Sequence, residues 1–160
     1  MAQDTTILDS NDDKMVLLSN AAWTLLATHP VDQIDLDAVA DMAGVERGPA
    51  GVLSGSVQCL VLAKMTRLDR QSLMETYDDI QDAGAVSIRE KIIEGLLHWF
   101  ETYAPYRSQI DQLNQSARSH PDLALRLLFG LEALIRHILV MSGDTALGLR
   151  GMVRVKGVTC

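Results

Sequence analysis

Aromatic side chains are scarce in this 160-residue chain. Two tryptophans, two phenylalanines and three tyrosines make up 4% of it, although 48% of the residues are hydrophobic. Sheet cores draw on aromatic and β-branched residues, whereas leucine, alanine and methionine suit the spaces between helices, so the deficit argues for an all-α fold. Cysteine is nearly absent. Cys59 and Cys160 have no metal-type spacing, which excludes a disulfide scaffold or a cysteine zinc site and points to a reduced, cytoplasmic setting. Basic residues are outnumbered 14 to 21, and the net charge of -7 opposes non-specific attraction to nucleic acid or anionic lipid. A membrane-length apolar run is missing too, because the greasiest stretch, Leu123 to Met141, carries Arg126, Glu132, Arg136 and His137. No signal peptide is visible.

What is present is helical periodicity. Residues 1–13 are polar and acidic and read as a flexible arm. A first helix follows from about Asp13 to Thr28, with Leu18, Ala21, Ala22, Leu25 and Leu26 on one face and His29-Pro30 as its stop. Asp35 stands at an N-cap, Leu36, Val39 and Ala40 share a face, and Ala43-Gly44-Val45 closes that short helix with a residue that tolerates positive φ. A second short helix and the start of a longer one, capped by Ser56, complete a helix-turn-helix layout over residues 14–60.

Residues 61–160 read as a helical body. The helix begun at Ser56 reaches Tyr77, and Asp78 to Ala85 forms a loop. Ile88, Ile92, Leu96, Trp99, Phe100 and Tyr103 mark the next helix, stopped near Pro105. Pro121 opens a helix to Met141 that is apolar on most sides and suits a bundle centre or a dimer contact. Residues 145–160 make one more helix, with Leu149, Met152 and Val153 on one face and Gly148, Gly151 and Gly157 weakening it.

The segments LLSNAAWTLLA and DLDAVADMAGVERGPAGVLSGSVQCL resemble, in spacing, the N-terminal module of TetR-type transcriptional regulators. The resemblance covers roughly residues 14–68. It implies a helix-turn-helix module on a dimeric helical body that encloses a small-molecule pocket, with operator DNA and a small apolar ligand as partners. The implied DNA-facing positions are Arg47, Gly48, Pro49, Gly51, Val52 and Ser56. They depart from the family pattern, because Pro49, Gly51, Val52, Leu53 and Val57 stand where it has threonine-like, aromatic and polar residues and a lysine, and none of them makes a charged phosphate contact or a bidentate base contact. Asp32, Asp35, Asp37, Asp41 and Glu46 accumulate against Arg47 alone.

A second resemblance lies in VSIREKI, HWFETYAPYRSQIDQL, SHPDLALRLLFGLEALI and SGDTALGLRGMVRVKGV, which look like the C-terminal region of the coenzyme Q biosynthesis accessory proteins. Those are lipid-binding dimers of the TetR fold that do not use DNA. Ile88-Arg89-Glu90-Lys91-Ile92 and Gly143-Asp144-Thr145, with Arg154 and Lys156, carry the likeness, while the aromatic residues usual around the last motif are missing.

Other constellations are weaker. GPAGVLSGS lacks the lysine of a phosphate loop, and Val52 breaks a nucleophile elbow at Ser54. Glu94, His98 and Glu101 share a helical face at metal-ligand spacing, without a second histidine. Trp99, Tyr103, Phe129 and His137 are the candidate ligand-pocket residues. No nucleophile, base and orienting group assemble, and no cofactor motif is present, so a non-enzymatic protein is expected. The leading expectation is a ligand-responsive regulator with a degenerate DNA surface; the alternative is a lipid- or isoprenoid-binding protein of the same fold.

Overall fold

In a computed structural model, residues 3–82 and 86–143 are described. Among them the chain is helical and contains no strand, with seven α-helices: α1 (Gln3–Leu25), α2 (Leu36–Ala43), α3 (Arg47–Ser54), α4 (Val57–Asp82), α5 (Ile88–Tyr103), α6 (Arg107–Ser119) and α7 (Pro121–Met141). Single 3-10 turns cover Val31–Gln33 and Ala104–Tyr106. The all-α expectation holds at this level. The segment 145–160, read from the sequence as a last helix, lies outside the described residues.

The chain forms two compact units. One takes residues 1–65 and 106–123, the other residues 66–105 and 124–160. Helix α6 groups with the N-terminal helices in the first unit. In the first unit Leu18, Ala22, Leu26, Val39, Ala50, Leu60 and Val61 are fully or almost fully buried. Trp23 packs edge-on against Tyr106, with ring centroids 5.6 Å apart, and the Val31 amide donates to Ser116 Oγ at 3.0 Å. These contacts fix α6 to the turn that precedes α2.

Two helix boundaries differ from the sequence reading. Helix α1 begins at Gln3, where a flexible arm ending at residue 13 was expected. Residues 3–13 contain neither glycine nor proline, so an acid-rich opening does not preclude a helix. The second difference is that α4 continues to Asp82, over the first five residues of the stretch read as a loop. Leu68, Ser72, Thr76 and Ile80 are all buried at a spacing of four, so Ile80 extends the buried stripe by one turn beyond Thr76. The polar residues around Ile80 hide that stripe from a composition argument.

Other signals act as read. The Asp35 carboxylate accepts from the Asp37 amide at 3.1 Å, and Gly44, at φ 66°, closes α2 while the Val45 amide donates to Ala40 O. Ser87 and Glu90 form a reciprocal capping box at the start of α5. In the second unit α4, α5 and α7 meet at Gly95, whose missing side chain admits Ile138 and Thr76.

Candidate functional site

Three constellations merit a chemical reading, the first being the α2–α3 surface. Helices α2 and α3 are eight residues each, separated by Gly44, Val45 and Glu46. Val45 and Ala50 are buried and lock the pair in place. Of the expected DNA-facing residues, Gly48 and Gly51 are exposed with open space where a side chain would stand, and Val52 is 87% exposed. Ser56 faces its own helix, where its Oγ accepts from the Cys59 amide at 3.2 Å, and it also lines a cleft of about 290 Å³ with Asp32, Gln58 and His120. The side chain of Pro49 lies outside the described residues.

Arg47 is the position on which any phosphate contact from α3 depends. Its guanidinium donates to Asp41 Oδ2 at 2.9 Å and to Asp37 Oδ2 at 3.3 Å, both on α2. The Asp41 hydrogen bond and then the charges of Asp37 and Asp41 raise its pKa further above the ordinary arginine value. Exposed ion pairs of this kind contribute little to stability. Their consequence is electrostatic: the cation that sequence reading left available is committed to two carboxylates of the preceding helix.

The second constellation contains two of the four expected pocket residues. Trp99 Nε1 donates to Asp69 Oδ1 at 3.1 Å, and Tyr103 Oη donates to the same oxygen at 2.9 Å. The two rings lie 5.5 Å apart, so one α4 carboxylate and two α5 aromatics form a closed polar knot. Burial pushes the Asp69 carboxyl upward, and the hydrogen bonds from Tyr103 and Trp99 offset part of that shift. Burial and the adjacent Asp69 charge push the Tyr103 phenol upward as well. Phe129 and His137 do not join this group. Phe129 is 59% exposed, and His137, also exposed, turns Nδ1 back to Ala133 O of its own helix at 2.7 Å.

The third brings together Asp79, Glu94 and His98, whose ligand atoms all lie within 4.8 Å of one another. His98 Nε2 is 2.8 Å from Asp79 Oδ2 and 3.6 Å from Glu94 Oε1. Glu94 and His98 share an α5 face as the sequence reading has it, but the third carboxylate comes from α4, while Glu101 is exposed and outside the group. Asp79 and Glu94 also line a cleft of about 450 Å³ with Ile80, Val86, Glu90 and Lys91. The sequence reading missed Asp79 because it places residues 78–85 in a loop.

No protein-family model, no curated protein and no solved structure matches the chain. Among the described residues no helix is long and apolar enough to cross a membrane.

Proposed function

We propose that this chain is a non-enzymatic, homodimeric binding protein of TetR-like design that takes an apolar small molecule of the lipid or isoprenoid class and does not read DNA. The observation that carries the reading is the apolar surface left uncovered on α5 and α7. Ile93, Leu97 and Phe100 are exposed at i, i+4 and i+7 on α5, and Leu125, Leu128 and Phe129 at i, i+3 and i+4 on α7. Each set forms one helical stripe, and an exposed apolar stripe of this extent marks a surface that binds something. The ion-paired Arg47 and the uncharged, glycine-rich exposed part of α3 support the second half of the proposal, because specific duplex binding needs several phosphate neutralisations.

A delipidated preparation titrated with an isoprenoid quinone, followed by tryptophan fluorescence and native mass spectrometry, tests the proposal. Saturable binding is expected, with loss in Leu97→Glu and Phe129→Glu. Absence of quinone binding, or binding unchanged in both variants, refutes it.

The repressor reading rests on the local α2–Gly44–α3 geometry, which suits a helix-turn-helix. It predicts enrichment of a defined duplex in a binding-site selection at low salt, where electrostatic attraction is greatest. The present proposal expects no enrichment.

A further inference from the structure

We propose that Asp79, Glu94 and His98 form a binding site for a first-row divalent metal ion, zinc or a close relative, with an exchangeable position open to the cleft beside it. The site is independent of the apolar-ligand reading. It joins the last turns of α4 to the middle of α5 within one compact unit.

The spacing of the donor atoms carries the argument. A zinc-type ion holds imidazole nitrogen and carboxylate oxygen at about 2.1 Å, so two ligands at a tetrahedral angle stand about 3.4 Å apart. Here the distances from His98 Nε2 are 2.8 Å to Asp79 Oδ2 and 3.6 Å to Glu94 Oε1. These two distances bracket that spacing, all three ligand atoms lie within 4.8 Å of one another, and side-chain rotations place an ion among them. Glu94 and His98 lie one turn apart on α5, which holds them on a common face, and Asp79 approaches from the neighbouring helix.

Charge points the same way. One imidazole N–H faces two carboxylates and donates along a single direction, to Asp79 at 2.8 Å, leaving Glu94 at 3.6 Å. Among the described residues neither carboxylate has an ion pair with lysine or arginine. A dication at this point balances both negative charges and takes up all three ligands at once. Binding requires Nε2 to give up its proton, so the ion and the proton compete.

The donor set also narrows the ion. One nitrogen and two oxygens suit zinc, iron(II), cobalt(II) or manganese(II), whereas calcium and magnesium prefer oxygen alone and copper(I) prefers sulfur. Three protein ligands leave a fourth position, which in closed structural zinc sites is filled by protein. Asp79 and Glu94 line the 450 Å³ cleft, so that position has room for water or for an oxygen donor of a small molecule.

The test uses the full chain after chelator treatment, titrated with cobalt(II) and then with zinc. One cobalt per chain, a visible ligand-field spectrum of a four- or five-coordinate ion, and displacement by zinc are expected. His98→Gln and Asp79→Asn should each weaken cobalt binding by more than the roughly 10- to 100-fold that loss of a partner outside the coordination sphere costs. Glu101→Gln, on the same helix but outside the group, should leave affinity unchanged. Asp79 is half exposed, so its variant tests the site without disturbing the core. Failure of the parent chain to bind cobalt overturns the proposal, as does unchanged affinity in His98→Gln or Asp79→Asn. A near-ultraviolet sulfur-to-cobalt charge-transfer band also overturns it, because it places the ion on a cysteine.

Discussion

Gly95→Ala and Gly130→Ala are the same chemical change in two helices of one compact unit, and only the second should raise stability. In a helix interior alanine is favoured over glycine by about 0.8–1.0 kcal/mol. At Gly130 an added Cβ meets nothing within 4 Å, so that gain should appear nearly whole. At Gly95 the same atom falls 2.8 Å from Ile138 Cγ2 and 3.3 Å from both Ile138 Cγ1 and Thr76 Cγ2. Carbon atoms pack best at about 3.5–4.0 Å. Neither neighbour yields easily. Ile138 is β-branched and 2% exposed, and Thr76 is fully buried with its hydroxyl donating to Ser72 O at 2.8 Å. Overpacking of this kind costs about 1–3 kcal/mol, so after the propensity gain Gly95→Ala should lie between neutral and about 2 kcal/mol less stable than the parent. The two variants therefore differ by the overpacking cost. With a urea m-value near 2 kcal/mol/M, a difference of about 2 kcal/mol separates their midpoints by about 1 M. Far-ultraviolet circular dichroism during urea unfolding measures this, and equal m-values show that stability has changed and not the surface exposed on unfolding. Coincident midpoints, or a Gly95→Ala midpoint above that of Gly130→Ala, would refute the close approach of α4, α5 and α7 at Gly95.

Gly44→Ala places a side chain at φ 66° and should cost about 1–2 kcal/mol in the same urea assay, with Gly44→Asn recovering part of it. Asp69→Asn keeps an oxygen acceptor for Trp99 and Tyr103 and should be better tolerated than Asp69→Ala, as thermal melts will show. Because burial raises the Asp69 pKa, its contribution to stability is full below the ordinary carboxylate range and declines as pH rises through that range to the raised value. Asp69→Asn should therefore remove a fall in stability with rising pH over that window. Ser87→Ala deletes the α5 cap and should cost about 1 kcal/mol, and the hydrogen bonds from Ser87 depress the Glu90 pKa. The Glu90 contribution is thus present above the ordinary carboxylate range and lost as pH falls through the depressed value, opposite in sign to that of Asp69.

Local signals were legible in the sequence wherever a residue acts on its own backbone. Asp35, Gly44, Pro105 and Pro121 each start or stop a helix through a dihedral or a hydrogen bond within four residues, and a pattern of single residues contains that information. The interior face of α4 was legible only to Tyr77, because the buried Ser72 and Thr76 and the acids around Ile80 break the apolar pattern while keeping its period. Side-chain pairings between helices were not legible. Asp69 lies 30 residues from Trp99 and 34 from Tyr103, and Asp79 lies 19 residues from His98. The face of α5 could be read as a donor set from the spacing of Glu94 and His98, but nothing local chooses Asp79 over Glu101 as the third member. Of the four expected pocket residues, Trp99 and Tyr103 come together and Phe129 and His137 do not, for the same reason. Helical periodicity gives the apolar side of a helix without saying which residues of two helices face each other, so it grouped Phe129 and His137 with aromatics they do not join.

A count of charges and a map of charges lead to different conclusions at α3. By count, Arg47 is a basic residue at the head of a reading helix, the minimum from which a DNA contact can be built. In the fold it is the hub of a three-residue cluster with Asp37 and Asp41, and the two acids lie within 3.3 Å of its guanidinium. A phosphate that approaches Arg47 comes up beside the two carboxylates its guanidinium already holds, whose charge opposes the approach. The net field at that point is acidic even though the residue is basic. Exposed Gly48, Gly51 and Val52 add no cation and no hydrogen-bonding side chain that could offset it. The α2–Gly44–α3 turn is thus a property of backbone and core, carried by Val39, Ala40, Gly44, Val45 and Ala50, whereas any DNA contact would be a property of the outward side chains. On α3 those outward residues supply one cation, already paired with two acids, where a duplex contact needs several.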